Sequence, residues 1–359
     1  MLKPVSASLP PRPGLVLRWR QLLLVYLLCV GVLAGSAYTM YVHYDFSHSL
    51  DTRSYLSVAR GEFRGVSITR RYRVVVPALA AAVAWPLEQV YARIWPQRAT
   101  TDWPLRLAFY VVNTLLLAAA ALFIFRSCLL CGASPGAAAL AVVAVLCSRW
   151  AVYIAGLPLV DSLYMLVFAL AFYGVVSNSG WALAVCILLG PQAKESFVFL
   201  VPWLLIFGRR PLSWPKQLVL FALSGALAYA VRHWIDAQAG AAPQESVNNA
   251  LDHLSNLTYS LQRLFSVKGA GEVFSIFGFF WLVLLAGWRS SRAVRRGPRP
   301  LARMGGSLVA VVLVHMLLSG DLGRMGYLAA PVFAVAFARI LTDHPWFSWL
   351  RLDAPPTPA

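Results

Sequence analysis

The chain has 359 residues, of which 59% are hydrophobic and only 13% charged, and its mean hydropathy is +0.66. A soluble domain carries about 25% charged residues, so these values exclude a water-soluble globular fold. The formal charge of +17 would suggest nucleic acid as partner in a soluble chain, but arginines at the cytoplasmic ends of membrane helices account for it, so no nucleic-acid partner is expected.

The apolar residues fall in blocks: 22–42, 107–125, 137–157, 162–177, 182–207, 217–235, 273–288, 306–319 and 326–341. Lipid cannot satisfy backbone hydrogen bonds, so such blocks are helices. Their Leu, Ala and Val content lacks the strict alternation of a membrane β-barrel. The expected fold is therefore all-α, a polytopic helical membrane protein with about ten membrane segments. Residues 1–21 form a basic cytoplasmic N-terminus, 22–341 the transmembrane domain, and 342–359 a short cytoplasmic tail.

Lys3, Arg12, Arg18 and Arg20 precede the first apolar block in the layout of a signal sequence. That block runs to Val42, longer than the usual 7–15-residue apolar region, so an uncleaved signal anchor is expected. It delivers residues 43–106 to the outer face. This first outer loop carries Asp45 beside the membrane, then Asp51, Tyr55 and Ala59, four residues apart and so on one helical face. Asp51 fits an N-cap equally well. Arg64, Arg70, Arg71 and Arg73 follow, suited either to lipid head groups or to a substrate phosphate. Residues 74–87 are apolar but contain Pro77 and Pro86. They fall short of the roughly 20 residues a span needs and read as a re-entrant or interfacial helix.

Cys128 and Cys131 form a C-x-x-C without partner ligands, and all five cysteines lie in or beside apolar blocks. Neither a disulfide framework nor a metal centre is implied. Asp161 follows Gly156-Leu157-Pro158 at a junction between two apolar blocks, where a turn-forming, capping Asp is the plain account. The block 182–207 is interrupted by Pro191, Lys194 and Glu195. A charge at the bilayer centre costs about 2.5–3.5 kcal/mol, so a hairpin placing Lys194 and Glu195 at the outer surface is expected. A rival topology makes 74–87 a span and 182–207 one helix, and moves Asp161 to the cytoplasm. Arg209, Arg210 and Lys216, and the dense run from Arg289 through Arg292, Arg295, Arg296 and Arg299 to Arg303, read as cytoplasmic. The loop 236–272 between them reads as the second large outer loop. Asp321 and Arg324 are spaced for a simple i, i+3 ion pair. Each polar cluster has a bland account, yet all fall at helix ends on one face, where retained charges usually mark a substrate path.

Asp51-x3-Tyr55-x3-Ala59, Arg73 before Pro77-Ala78-Leu79-Ala80, Leu159-Val160-Asp161-Ser162, Lys194-Glu195-Ser196 and Asp321-Leu322-Gly323-Arg324-Met325 before Ala330-Pro331-Val332 together resemble the GT-C superfamily of polytopic membrane glycosyltransferases. The resemblance covers about residues 22–340, and its motifs are short and degenerate; order and spacing carry it. It implies inverting transfer of a sugar from a polyprenyl-phosphate-linked donor to an acceptor on the outer face of a bacterial inner membrane. It makes Asp51 the base, with Asp45 as the competing acid. Lys194 and Arg324 become the leading groups for the donor phosphate, with Arg70, Arg71 and Arg73 behind them. Tyr55, Asp161, Glu195 and Asp321 would support the site. No cofactor is required, and the outer-face acids leave room for a divalent metal. The implied partners are the lipid-linked sugar, membrane lipids and an unidentified acceptor. Larger members carry a soluble C-terminal domain; here only residues 342–359 follow the last apolar block, which leaves acceptor recognition to the loops, chiefly 236–272. The alternative function is a transporter or flippase for a lipid-linked or anionic substrate. That reading calls for paired midplane breaks in two related halves, whereas only 182–207 is broken.

Overall fold

The computed structural model describes residues 18–45, 49–240, 249–289 and 299–350. Lys3 and Arg12 of the basic N-terminus, residues 241–248 of the loop 236–272, the middle of the 289–303 basic run and the end of the tail lie outside them. The described residues are helical without a strand: a multi-pass helical membrane protein. Against about ten expected membrane segments, seven helices among the described residues are long and apolar enough to cross, or eight if one bent pair counts as a span, and three shorter apolar helices stand beside them.

Helix α1 (Trp19–His43) is the expected N-terminal span. It is followed by α2 (Leu50–Ala59), the single turn α3 (Ile68–Arg71), α4 (Val75–Ile94), the single turn α5 (Pro96–Ala99) and α6 (Trp103–Leu130). Helix α4 extends the apolar segment 74–87 to 20 residues, enough by length and hydropathy for a span. Arg60 before it and Asp102 after it are paired all the same, a contact across its two ends that a single crossing would not make. Pro77 falls in its first turn, where the missing N–H costs nothing. Pro86 is interior, but the alanines before it are strong helix formers, and the helix continues through it.

The block 137–157 is not one continuous helix. It divides into α7 (Pro135–Leu146) and α8 (Arg149–Gly156), bent by 61°. Ser148 makes the break: its hydroxyl accepts from the Trp150 amide at 3.2 Å and donates to the Ile276 carbonyl at 2.5 Å. Helix α9 (Asp161–Val176) is buried over nearly its whole circumference, from Asp161 to Gly174. An all-round apolar helix belongs in the interior, and α9 forms the core with α6, which also packs on α1 and α4.

The segment 182–207 folds back as expected. Helix α10 (Gly180–Ala193) ends at Lys194, whose backbone is extended (φ −165°, ψ 138°). A 3-10 turn (Glu195–Leu200) and α11 (Val201–Phe207) then return. The closure is tight at both ends. A Cβ on Gly190 would lie 2.3 Å from the Phe197 ring, and one on Gly180 2.7 Å from the Pro211 carbonyl oxygen. The chain continues through α12 (Trp214–Ala239), α13 (Asn249–Leu264), α14 (Val267–Phe277) and α15 (Trp281–Arg289). Three further helices complete it: α16 (Arg299–Ser319), the short α17 (Leu322–Gly326) and α18 (Ala330–Asp343).

Candidate functional site

Ser49, not Asp51, caps α2; its side chain accepts from the Thr52 amide. The Asp51 carboxylate in the first turn is therefore available for other partners. One of its oxygens accepts from Arg70 Nε at 2.5 Å and the other from Arg324 Nη1 at 3.0 Å. One turn further on, Tyr55 is buried, and its hydroxyl accepts from Arg73 Nη1 at 3.1 Å. Arg73 reaches on to Glu195 in a bidentate pair, with Nε 3.1 Å from Oε2 and Nη2 on Oε1.

Asp161 likewise is no cap. Val160 holds that position, and Asp161 opens α9 with its side chain 3% exposed. Its Oδ1 lies 3.4 Å from Lys194 Nζ and its Oδ2 3.3 Å from Arg324 Nη1. The turn before it is pinned from α6. The Asn113 amide donates to the carbonyls of Leu157 (2.9 Å) and Leu159 (3.1 Å), and Ser162 Oγ donates to Asn113 Oδ1 at 2.5 Å. Lys194 sits at the tip of the α10 hairpin with its Nζ also 3.1 Å from Met325 Sδ and 5.8 Å from the Tyr164 ring centre. Asp321 caps α17 by accepting from the Arg324 amide at 3.0 Å, and it takes Arg324 Nε on its other oxygen at 2.9 Å.

Arg324 is thus the hub, touching Asp51, Asp161 and Asp321 at once. The acids Asp51, Asp161, Glu195 and Asp321 face the bases Arg70, Arg73, Lys194 and Arg324. The cluster is charge-balanced. Burial pushes the Asp51 carboxyl up, but Arg324 and Arg70 outweigh it and hold the group below its ordinary value. Burial pushes the Tyr55 hydroxyl up to about 12 despite Arg73 beside it.

Nine of the eleven site residues singled out from sequence converge here. Arg71 does not: it is buried against Asp236 of α12 at 3.3 Å, and Tyr72 donates to the same carboxylate. That contact fastens the segment between α1 and α4 to α12 and holds Arg71 against Asp236 instead of in the Arg324 cluster. Asp45 is exposed just past α1. Lys194 and Glu195 pair with Asp161 and Arg73 instead of with each other. Lys194 lies in the protein interior, only 6% exposed, and not at an outer surface in water. One guanidinium contacts both Asp51 and Asp161, so the two acids share one cluster, where the rival topology would set them apart. Among the described residues no set of three His, Cys, Asp or Glu side chains is arranged for a metal ion.

Asn113 and Tyr164 were passed over in the sequence, and Met325 appeared there only within a motif, without a role. Asn113 had a signal, an amide within an apolar block, where polar groups are costly and kept for a reason. Tyr164 is an ordinary member of an apolar helix and carried none. No protein-family model, curated protein or solved structure matches the chain.

Proposed function

We propose that this protein is an integral membrane glycosyltransferase that takes a sugar from a polyprenyl-phosphate-linked donor and passes it to an acceptor at the outer face of a bacterial inner membrane. The observation that carries the reading is the convergence on Arg324 of acids from three distant parts of the chain, beside two further cations, Arg70 and Lys194. An inverting transfer needs such a pairing. Asp51 takes the proton of the acceptor hydroxyl as the new bond to the sugar C1 forms. The old bond from C1 to the phosphate oxygen breaks, and its electron pair leaves with the lipid phosphate. Arg324, Arg70 and Lys194 offset the charge that builds there. Asp161 and Asp321 hold the Arg324 fork in position, and Arg73 with Glu195 and Tyr55 ties the first outer loop to the α10 hairpin. The sequence motifs that resemble the GT-C superfamily supply all of these residues except Arg70, which supports the same reading.

The burial of Asp161 and Lys194 among apolar helices also suits the alternative, a transporter or flippase for an anionic lipid. Chemistry separates the two. Membranes carrying the native chain should transfer labelled sugar from a polyprenyl-phosphate donor, and Asp51→Asn should slow this by at least about 100-fold while Asp45→Asn leaves most of it. Undiminished transfer by both variants would sink the assigned mechanism, and movement of donor across vesicles without transfer would favour transport.

A further inference from the structure

The Asp51 carboxylate lies between two guanidiniums drawn from remote parts of the chain, with one oxygen 2.5 Å from Arg70 Nε and the other 3.0 Å from Arg324 Nη1. Two planar donors on two oxygens of one anion is also how proteins hold a phosphate. The cluster is already neutral, so an arriving phosphate meets no surplus cation within it. It can bind tightly only if one of the resident carboxylates gives way.

The four acids are not equally able to move. Asp161 is 3% exposed and is held by Lys194 as well as Arg324. Asp321 is fixed twice within its own turn, as cap and as ion-pair partner. Glu195 is gripped at both oxygens by Arg73. Asp51 is 25% exposed, less than Asp321 at 29% or Glu195 at 37%; what sets it apart is its place on the short, ten-residue helix α2. Its two contacts are both to cations that a phosphate would seek.

We propose that the Arg70–Arg324 cradle is a phosphate site occupied at rest by Asp51, and that the donor's phosphate enters by displacing this carboxylate and frees it to act on the acceptor. The proposal rests on the glycosyltransferase reading for the identity of the donor, not for the exchange itself. In the resting protein both guanidiniums neutralise Asp51 and make it a poor base. With phosphate in the cradle, Asp51 loses both partners and gains proton affinity where the acceptor needs it. After transfer the lipid phosphate leaves, Asp51 releases its proton to water, and the carboxylate returns to the cradle. Donor binding therefore precedes activation of the base, which restrains attack by water when no donor is present.

The test is direct binding of two probes, inorganic phosphate and farnesyl phosphate, to the full chain purified in detergent and monodisperse. Asp51→Asn removes the competing carboxylate and should bind both probes about tenfold more tightly than the native chain. Asp102→Asn removes an equal charge on the same face, where its partner is Arg60, and should change affinity less than about twofold. Arg324→Gln should abolish binding. Should Asp51→Asn fold poorly, Asp51→Ala offers a second measurement: added acetate should refill the cradle and compete with phosphate in that variant but not in the native chain. Equal affinity of native and Asp51→Asn chains, or equal tightening by Asp102→Asn, overturns the exchange. Farnesyl phosphate binding better than inorganic phosphate supports a lipid-linked donor; equal binding keeps the cradle and overturns the lipid source. Tightening by Asp51→Asn with no sugar transfer by the native chain keeps the cradle and removes the glycosyltransferase reading. Asp51-dependent transfer without tightening does the reverse.

Discussion

Lys194 and Asp161 are the most deeply buried ion pair of the cluster, and their energetics differ from those of an exposed pair. Removing one partner of a buried pair strands a charge, at a cost of about 3–5 kcal/mol, whereas replacing both by neutral groups of like shape is often tolerated. Lys194→Met should therefore lower the thermal midpoint in detergent clearly. Lys194→Met combined with Asp161→Asn should lower it by less than the sum of the single losses; additive losses would show that the pair is not coupled. Asp51 makes a prediction about pH. The groups facing it are Arg70, Arg324 and Asp161, and its folded value lies below the ordinary 3.8. A depressed carboxylate contributes fully above its unfolded value and loses that contribution as pH falls through the folded one. With its carboxyl held low in the free enzyme, Asp51 alone gives kcat/KM a level profile from neutrality down to about pH 5. The acid limb of kcat/KM reports the free enzyme and that of kcat the loaded one. If the phosphate frees Asp51, the kcat limb lies at the higher pH; coincident limbs would speak against the exchange.

The elements that carry these residues depend on a few close approaches. A Cβ on Gly323 would lie 2.0 Å from the Trp150 ring, so α17 and the Arg324 it bears sit as near to α8 as a hydrogen allows. Overpacking of this kind costs about 1–3 kcal/mol. Gly323→Ala should reduce transfer more than its loss of stability explains, and a second change, Trp150→Leu, should restore part of it. Full activity in Gly323→Ala would mean that the position of α17 does not matter. The sequence shows some of this architecture plainly. The fold-back at Lys194 was legible because Pro191, Lys194 and Glu195 interrupt one apolar block, and the covering charge penalty leaves few other solutions. The length of α4 was not, since Pro86 looks locally like an end and only the alanine-rich turns before it carry the helix on. The bend between α7 and α8 was unreadable as well. Ser148 caps α8 locally, but a lone Ser inside an apolar block is a weak mark, and its second bond, to Ile276, lies 128 residues away.

At the scale of the whole molecule, sequence placed the charged residues on one face but could not pair them, because Arg324 meets Asp51 across 273 residues and Asp161 across 163. Pairing at that range is decided by packing, above all by α9 running through the middle of the bundle. Helix α9 has 16 residues and spans about 24 Å, some 6 Å less than a hydrocarbon core of about 30 Å. The α10 hairpin is no longer. Asp161 and Lys194 lie at one end of these short elements, the end that faces outward in the topology expected from the sequence. The opposite ends of the elements should face the cytoplasm. Arg53 lies on α2 beside the cluster, Arg209 follows α11 at the closed base of the hairpin, and both are exposed. In a background with the native cysteines replaced, Arg53→Cys should react with a membrane-impermeant maleimide from outside intact cells. Arg209→Cys should react only after the inner leaflet is opened. Labelling of both from the same side would overturn this topology, and with it a site open to a donor in the outer leaflet, because the charged tip and the base of the hairpin would then share one compartment.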